Sequence, residues 1–317
     1  MATPYSYAPT ERFRLTSSDG LCLSCARWDS RSPPRAIVQI AHGMGEHMGR
    51  YVPTIEVLVA AGITVYANDH RGHGLTARSR AHFGEFGQGG FDLLVQDMAR
   101  LGELASDENP DIPLILLGHS MGSFAAQSYA IDHSHEIDGL ILSGSGALDR
   151  LAHARVMAPP GSNLLNAAFE PARTPFDWLS RDHAVVDAFL ADPLCFAELR
   201  PEALESFLGT GPRLSDPTEL RRIRRGLPVY LLSGSDDPVG QRLRGLDLLI
   251  NRYRDAGLDD VSFDFYPNGR HEMLNEINRY QVQTRLLGWI SRLLEKLDSD
   301  LSRIPPVDGL QHQGEQG

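Results

Sequence analysis

Three cysteines in 317 residues are too few, and odd in number, for the disulfide framework of a secreted domain. No apolar run approaches the ~20 residues that cross a hydrocarbon core. Positive charge is also scarce: 30 Lys and Arg face 41 Asp and Glu, for a formal charge of −11. Such a chain is a poor partner for nucleic acid, whose binding rests on neutralised phosphates, and for an anionic membrane surface. The amino terminus, MATPYSYAPTERFR, has no basic start and no apolar core of about 7–15 residues, as a secretory signal requires. The expectation is a cytoplasmic chain with no transmembrane segment.

Hydrophobic residues make up 42% and charged residues 22%, the balance of a folded domain rather than a disordered one. Residues 11–28 read as a hairpin about the turn Ser17-Ser18-Asp19-Gly20. Cys22 and Cys25 stand as C-x-x-C, but on a strand residues three apart point to opposite faces, and no second pair follows, so the reading is structural. Short apolar runs and helical patterns then alternate. Strands are expected at 36–41, 63–68, 114–117, 140–143, 227–233 and 261–266. Helices are expected at 52–61, 91–105, 121–133, 243–256 and 280–297. This alternation, with continuous apolar strands, indicates a parallel sheet covered on both faces.

One segment breaks the rhythm. About 80 residues between the strands at 140 and 227 show helical patches and prolines but no strand pattern. An insertion of that length in an α/β domain reads as a helical lid rather than a loop. The expected domains are therefore a core of 10–147 and 227–297, a helical cap of 148–226, and a polar tail of 299–317 without fixed structure. The basic run Arg221-Arg222-Ile223-Arg224-Arg225 reads as a solvated helix face. No internal repeat is present.

Gly118-His119-Ser120-Met121-Gly122 stands directly after a strand and before a helix. A serine on such a tight turn is held in a strained conformation that exposes its oxygen above the sheet. Glycines flank it because side chains there would strike the neighbouring elements. A serine hydroxyl needs an oriented base, and on this architecture the partners follow in the order Ser, acid, His. Asp236 and Asp237 lie beyond the strand at 227–233, and His271 lies beyond the last strand. Position alone leaves the two aspartates open. Two N–H donors must meet the developing oxyanion: that of Met121, after the nucleophile, and that of Met44 in the His42-Gly43-Met44-Gly45 loop. His70 and His73, with Asp69 beside them, have no further ligand in view for a metal. The glycine-rich stretch FGEFGQGG lacks the Lys-Ser/Thr ending of a phosphate loop. No metal or organic cofactor is expected.

Together HGMGEHMGRY (42–51), NDHRGHGLT (68–76), LLGHSMGS (116–123), SGSDDPV (233–239) and YPNGRHEMLNE (266–276) run in the order of one family. The chain resembles the α/β-hydrolases of the monoacylglycerol lipase and lysophospholipase group, the serine aminopeptidase S33-like hydrolases, over roughly residues 10–297. The resemblance implies an α/β-hydrolase fold: a mostly parallel central sheet, helices on both faces and a helical cap insertion. It implies Ser120 as nucleophile, His271 as base, and Asp237 over Asp236 as acid, because the family acid stands three residues after the glycine closing its strand, here Gly234. Met44 and Met121 become the oxyanion-hole residues. Glu46 and Arg50 would shape the polar end of the pocket, with His119 nearby, or else form a buried salt bridge holding the loop.

The implied activity is hydrolysis of a carboxylic ester, most readily a single-chain lipid ester such as monoacylglycerol. A lysophospholipase, a short-chain esterase, an acyltransferase and a non-catalytic binding protein on the same fold stay open. So do transient micelle or membrane contact through the cap, and the oligomeric state. Val156, Met157, Leu164, Leu165, Phe169, Phe176 and Trp178 either line an acyl tunnel or form the core of the cap. A phosphate headgroup would call for basic contacts, for which Arg150, Arg155 and Arg173 are candidates.

Overall fold

A computed structural model describes residues 7–158 and 162–302. The chain opens with β1 (Glu11–Thr16) and β2 (Cys22–Trp28), paired antiparallel. Gly20 closes their turn at φ +83°, a conformation that costs glycine little. Cys22 is exposed and Cys25 buried, as strand alternation requires.

There follow β3 (Ala36–Ala41), α1 (Val52–Ala60), β4 (Ile63–Asn68), α2 (Gly90–Glu108), β5 (Leu114–His119), α3 (Met121–His133) and β6 (Gly139–Ser143). The insertion carries α4 (Leu148–Met157), α5 (His183–Ala191), α6 (Pro201–Gly209) and the short α7 (Pro217–Leu220), with no strand among its described residues. The core resumes with β7 (Val229–Gly234), α8 (Arg244–Asp255), β8 (Val261–Tyr266) and α9 (Arg279–Ser302). The strand read at 227–233 starts two residues later, beyond Pro228, which has no N–H for a ladder. The last helix runs to Ser302, so the first residues of the segment read as tail are helical. The rest of that segment, 303–317, lies outside the described residues.

The eight strands lie in the order β1-β2-β4-β3-β5-β6-β7-β8. β2 is antiparallel to both its neighbours, and every pairing from β4 to β8 is parallel. β3 to β7 are buried at every position, which is why they read as unbroken apolar runs. Side chains alternate between two cores. Ile37, Leu116 and Leu231 pack with α2, α3 and α8, while Val38, Leu117 and Leu232 pack with α1 and α9.

Because β3, β5, β6, β7 and β8 are parallel, the loops after all five leave from one edge of the sheet. The insertion leaves after β6 and therefore returns over that edge. Contact is direct: the Glu272 N–H donates to Leu179 O at 2.8 Å, and the Phe196 N–H to Gly45 O at 2.9 Å.

The turn after β5 is a tight junction. A Cβ on Gly122 would lie 2.2 Å from Ala41 O and 2.5 Å from His42 O, both main chain; one on Gly118 would lie 2.4 Å from Gly122 O. Gly122→Ala is therefore expected to push α3 off β3 and cost about 1–3 kcal/mol, as overpacking does. A urea unfolding midpoint equal to that of the parent protein would contradict this.

Candidate active site

Ser120 sits at φ +52°, ψ −121° between β5 and α3. A non-glycine residue in that region is strained, and hydrogen bonds to its backbone hold the turn. The Ser120 N–H donates to Ser143 O at 2.9 Å on the neighbouring β6, and the Ser123 N–H to Ser120 O at 2.8 Å. The side chain is half-buried and opens into a cavity.

His271, buried in the loop after β8, faces Asp237 with Nδ1 3.0 Å from Oδ1 and 3.1 Å from Oδ2. Asp237 is fully buried and also accepts from the Val239 N–H at 2.9 Å and the Ser233 hydroxyl at 3.2 Å. These bonds fix the carboxylate and set the imidazole with its proton on Nδ1, leaving Nε2 basic. Nε2 is buried and has no hydrogen-bond partner among the described residues. Asp236 is half-buried and its main-chain N–H donates to Gly269 O at 2.9 Å; it makes no bond to the histidine.

Burial alone would lower the His271 pKa. The Asp237 carboxylate outweighs it, with Glu272 and Glu46 behind, and the pKa is raised above 6.5. His119, whose ring lies 4.7 Å from that of His271, goes the other way. Its burial and the nearby His271 charge bring it down to about 4, so it is neutral when His271 titrates. A base must shed its proton to act, so kcat/KM is expected to fall as pH drops through a value above 6.5. A profile flat from about pH 5 to 8 would place the base elsewhere.

Met44 and Met121 both line the cavity beside Ser120. Met121 is the first residue of α3, where N–H groups have no intrahelical acceptor. In the other loop the Gly43 N–H is taken by Glu46 Oε1 at 2.6 Å, and the next residue is Met44.

Glu46 and Arg50 do not line the cavity. Both are nearly fully buried beneath the loop: Arg50 Nη1 meets Glu46 Oε2 at 2.6 Å, and the guanidinium clasps Glu272 at 2.7 and 2.8 Å. The Tyr51 hydroxyl donates to Glu46 at 2.6 Å. Burial would raise the Glu46 pKa, but Arg50 and the surrounding groups hold it at about 2. Of the two roles expected for this pair, the geometry is that of the buried salt bridge. It joins the His42–Gly45 loop to the residue after His271. His119 likewise faces inward, with Nδ1 3.0 Å from Ser143 Oγ.

Below the loop, burial lowers the pKa of His42 to about 3 and of His73 to about 4, and that of His70 well below the usual range. His42 accepts the His70 N–H on Nε2 at 2.9 Å, which puts its own proton on Nδ1 toward Gly43 O. Asp69 accepts the N–H groups of Met48 and Leu75. These residues brace the two loops. His47, Asp192 and Cys195 also bring potential ligand atoms within 4.8 Å of one another. His47 Nδ1 accepts from the Gly49 N–H, so Nε2 carries the proton that meets Asp192 at 3.0 Å. That is a tether between the segment after the His42–Gly45 loop and the insertion rather than a free ligand.

The insertion contributes what position in sequence gave no means of assigning. Trp178 lies with its ring 4.8 Å from His271 and its carbonyl on the His271 N–H at 3.3 Å. Leu164, Leu165, Phe176 and Trp178 line the cavity, whose volume is about 530 Å³. Val156 and Met157 instead are 80% and 71% exposed, and Phe169 stacks under Arg270 at 4.4 Å. Arg222 and Arg224 of the basic run are bound to Asp132, Glu219 and main-chain carbonyls, so part of that run pins the end of the insertion to α3.

A strained serine and a histidine–carboxylate pair, on loops leaving one edge of a mostly parallel sheet, have the arrangement of the α/β-hydrolase class. Residues 32–278 match the family model described as serine aminopeptidase, S33. The chain is 30% identical over 269 residues to a monoacylglycerol lipase of Mycolicibacterium smegmatis, covering 83% of this chain and 90% of that protein. It is 30% identical over 284 residues to the monoglyceride lipase of Homo sapiens, covering 87% and 88%. A thermostable carboxyl esterase from Bacillus coagulans, solved in complex with glycerol, superposes with a TM-score of 0.82 at 28% identity, covering 91% of this chain and 100% of that one. The chain belongs to the serine aminopeptidase S33 family, on the α/β-hydrolase fold.

Proposed function

We propose that the protein hydrolyses carboxylic esters of single-chain lipids through an acyl-enzyme on Ser120. The observation that carries this is the cavity of about 530 Å³ roofed by the insertion, walled mostly by apolar side chains, with Ser120, Met44 and Met121 on its wall. In this reading Ser120 Oγ attacks the ester carbonyl while His271 Nε2 takes its proton. The carbonyl oxygen, now negative, is met by the Met44 and Met121 N–H groups, each worth about 2.7–4 kcal/mol of barrier. His271 returns the proton to the leaving alcohol oxygen, and the ester C–O bond breaks. Water then enters, gives its proton to His271 and attacks the acyl carbon; Ser120 leaves with that proton and the fatty acid is released.

The names of the relatives support a lipid ester as substrate, and an apolar wall suits an acyl chain. If the wall takes the chain, each added methylene contributes about 0.8 kcal/mol, so kcat/KM should rise roughly fourfold per carbon until the cavity is full. A series of p-nitrophenyl esters run beside monoacylglycerols checks this. A rate that falls with chain length would instead give a short-chain esterase. The reading places the enzyme in the cytoplasm, meeting esters at micelles or membranes through the insertion. Among the described residues no helix is long and apolar enough to cross a membrane.

A further inference from the structure

Most arginines near the insertion already have partners. Arg213 and Arg222 meet Asp132 and Glu219, Arg252 clasps Asp149 at 2.8 and 2.9 Å, and Arg173 meets Asp187. One group differs. A second cavity, about 440 Å³, opens between α4 and the loop from Pro238 to Arg244; its walls carry Arg150 and His153 on one side and Gln241, Arg242 and Arg244 on the other. None of these three guanidiniums has a carboxylate partner among the described residues, and Asp149, beside Arg150 in sequence, is turned to Arg252.

All three arginines are exposed and line the same cavity, and none has a carboxylate partner among the described residues, in a chain of formal charge −11. The loop that presents them is held out of the ordinary backbone range, with Gln241, Arg242 and Leu243 at φ +51°, +53° and +72°. The Arg242 N–H donates to the main-chain carbonyl of Asp237 at 2.9 Å, which ties this loop to the backbone of the residue that faces His271. Arg244 is the first residue of the 12-residue α8, whose positive end adds to the field.

We infer that this cavity binds a phosphate group. Guanidinium forks match phosphate oxygens bidentately and stay charged at any working pH. The position gives the site a use. Along α4, Arg150 and His153 face this cavity while Leu151 and Arg155 line the substrate cavity; Pro238 lines the one and Val239 the other. The two cavities share that wall. A phosphate there is either the headgroup of a single-chain phospholipid whose ester lies over Ser120, or free phosphate acting beside the site. The first source rests on the ester-hydrolase reading and the second does not.

The test uses the parent protein and the double variant Arg150→Gln, Arg244→Gln, with one charge removed from each wall. Thermal unfolding is followed with inorganic phosphate and with chloride at equal ionic strength. In parallel, kcat/KM is measured on lysophosphatidic acid and on monoacylglycerol of the same acyl chain. The inference expects phosphate to raise the parent's Tm more than chloride does, and the double variant to lose that gain. If the phosphate is a headgroup, the ratio of kcat/KM on lysophosphatidic acid to that on monoacylglycerol falls about tenfold in the variant. An unchanged ratio with the Tm gain lost assigns the site to free phosphate. No specific stabilisation of the parent together with an unchanged ratio overturns the inference. Stabilisation lost in the variant, in a protein that cleaves no ester, keeps the phosphate site and removes the ester reading.

Discussion

Asp237→Asn is expected to lower kcat on the order of 10⁴-fold, the loss seen when an orienting aspartate becomes an amide, while Asp236→Asn stays close to the parent. The reason lies in what each carboxylate holds. Asp237 accepts from His271 Nδ1, Ser233 and Val239 at once, so an amide there presents an N–H to at least one donor. The imidazole then turns or takes the wrong tautomer, with its proton on Nε2 where the base is needed. Asp236 makes no bond to the ring. Michaelis kinetics on one ester for both variants decides it; comparable losses, or the larger loss in Asp236→Asn, would show that the histidine is oriented by something else.

Arg50→Ala is expected to have the largest effect on stability. It would leave the Glu46 and Glu272 carboxylates, both 3% exposed, facing each other without the cation between them. Removing one partner of a buried ion pair costs about 3–5 kcal/mol, because the remaining charge stays buried and uncompensated. At about 2–4 °C per kcal/mol the fall in Tm is on the order of 10 °C. Since Glu46 also holds the Gly43 N–H and Glu272 follows His271, activity should drop below what partial unfolding explains. A Tm within about one degree of the parent would mean that the network contributes little and the loop is held by Tyr51 and the insertion.

Much of this architecture was legible because it rests on short-range rules. Strands buried on both faces read as unbroken aliphatic runs, and the Gly-x-Ser-x-Gly turn is demanded by the main-chain contacts at Gly118 and Gly122. The choice between Asp236 and Asp237 was not legible from spacing, since adjacent residues differ only in which one the turn buries. The role of Glu46 and Arg50 depended on Glu272, 222 residues away from Arg50. The insertion was the least legible part. Its helices are short and separated by irregular stretches, so Phe176 and Val156 look alike in sequence, yet one lines the cavity and the other is 80% exposed. Which residues face the site is set by where the insertion docks, through Trp178 on His271 and Phe196 on Gly45, and local pattern does not encode such contacts.

The central claim is that Ser120 is the nucleophile of an ester hydrolase. It is tested most directly by treating the parent and Ser120→Ala with a fluorophosphonate, locating the adduct by peptide mass, and assaying both on a monoacylglycerol. The expected result is one adduct per chain, on the peptide containing Ser120, and hydrolysis that falls by about 10⁶-fold in Ser120→Ala. Hydrolysis by Ser120→Ala at a rate near that of the parent would contradict it.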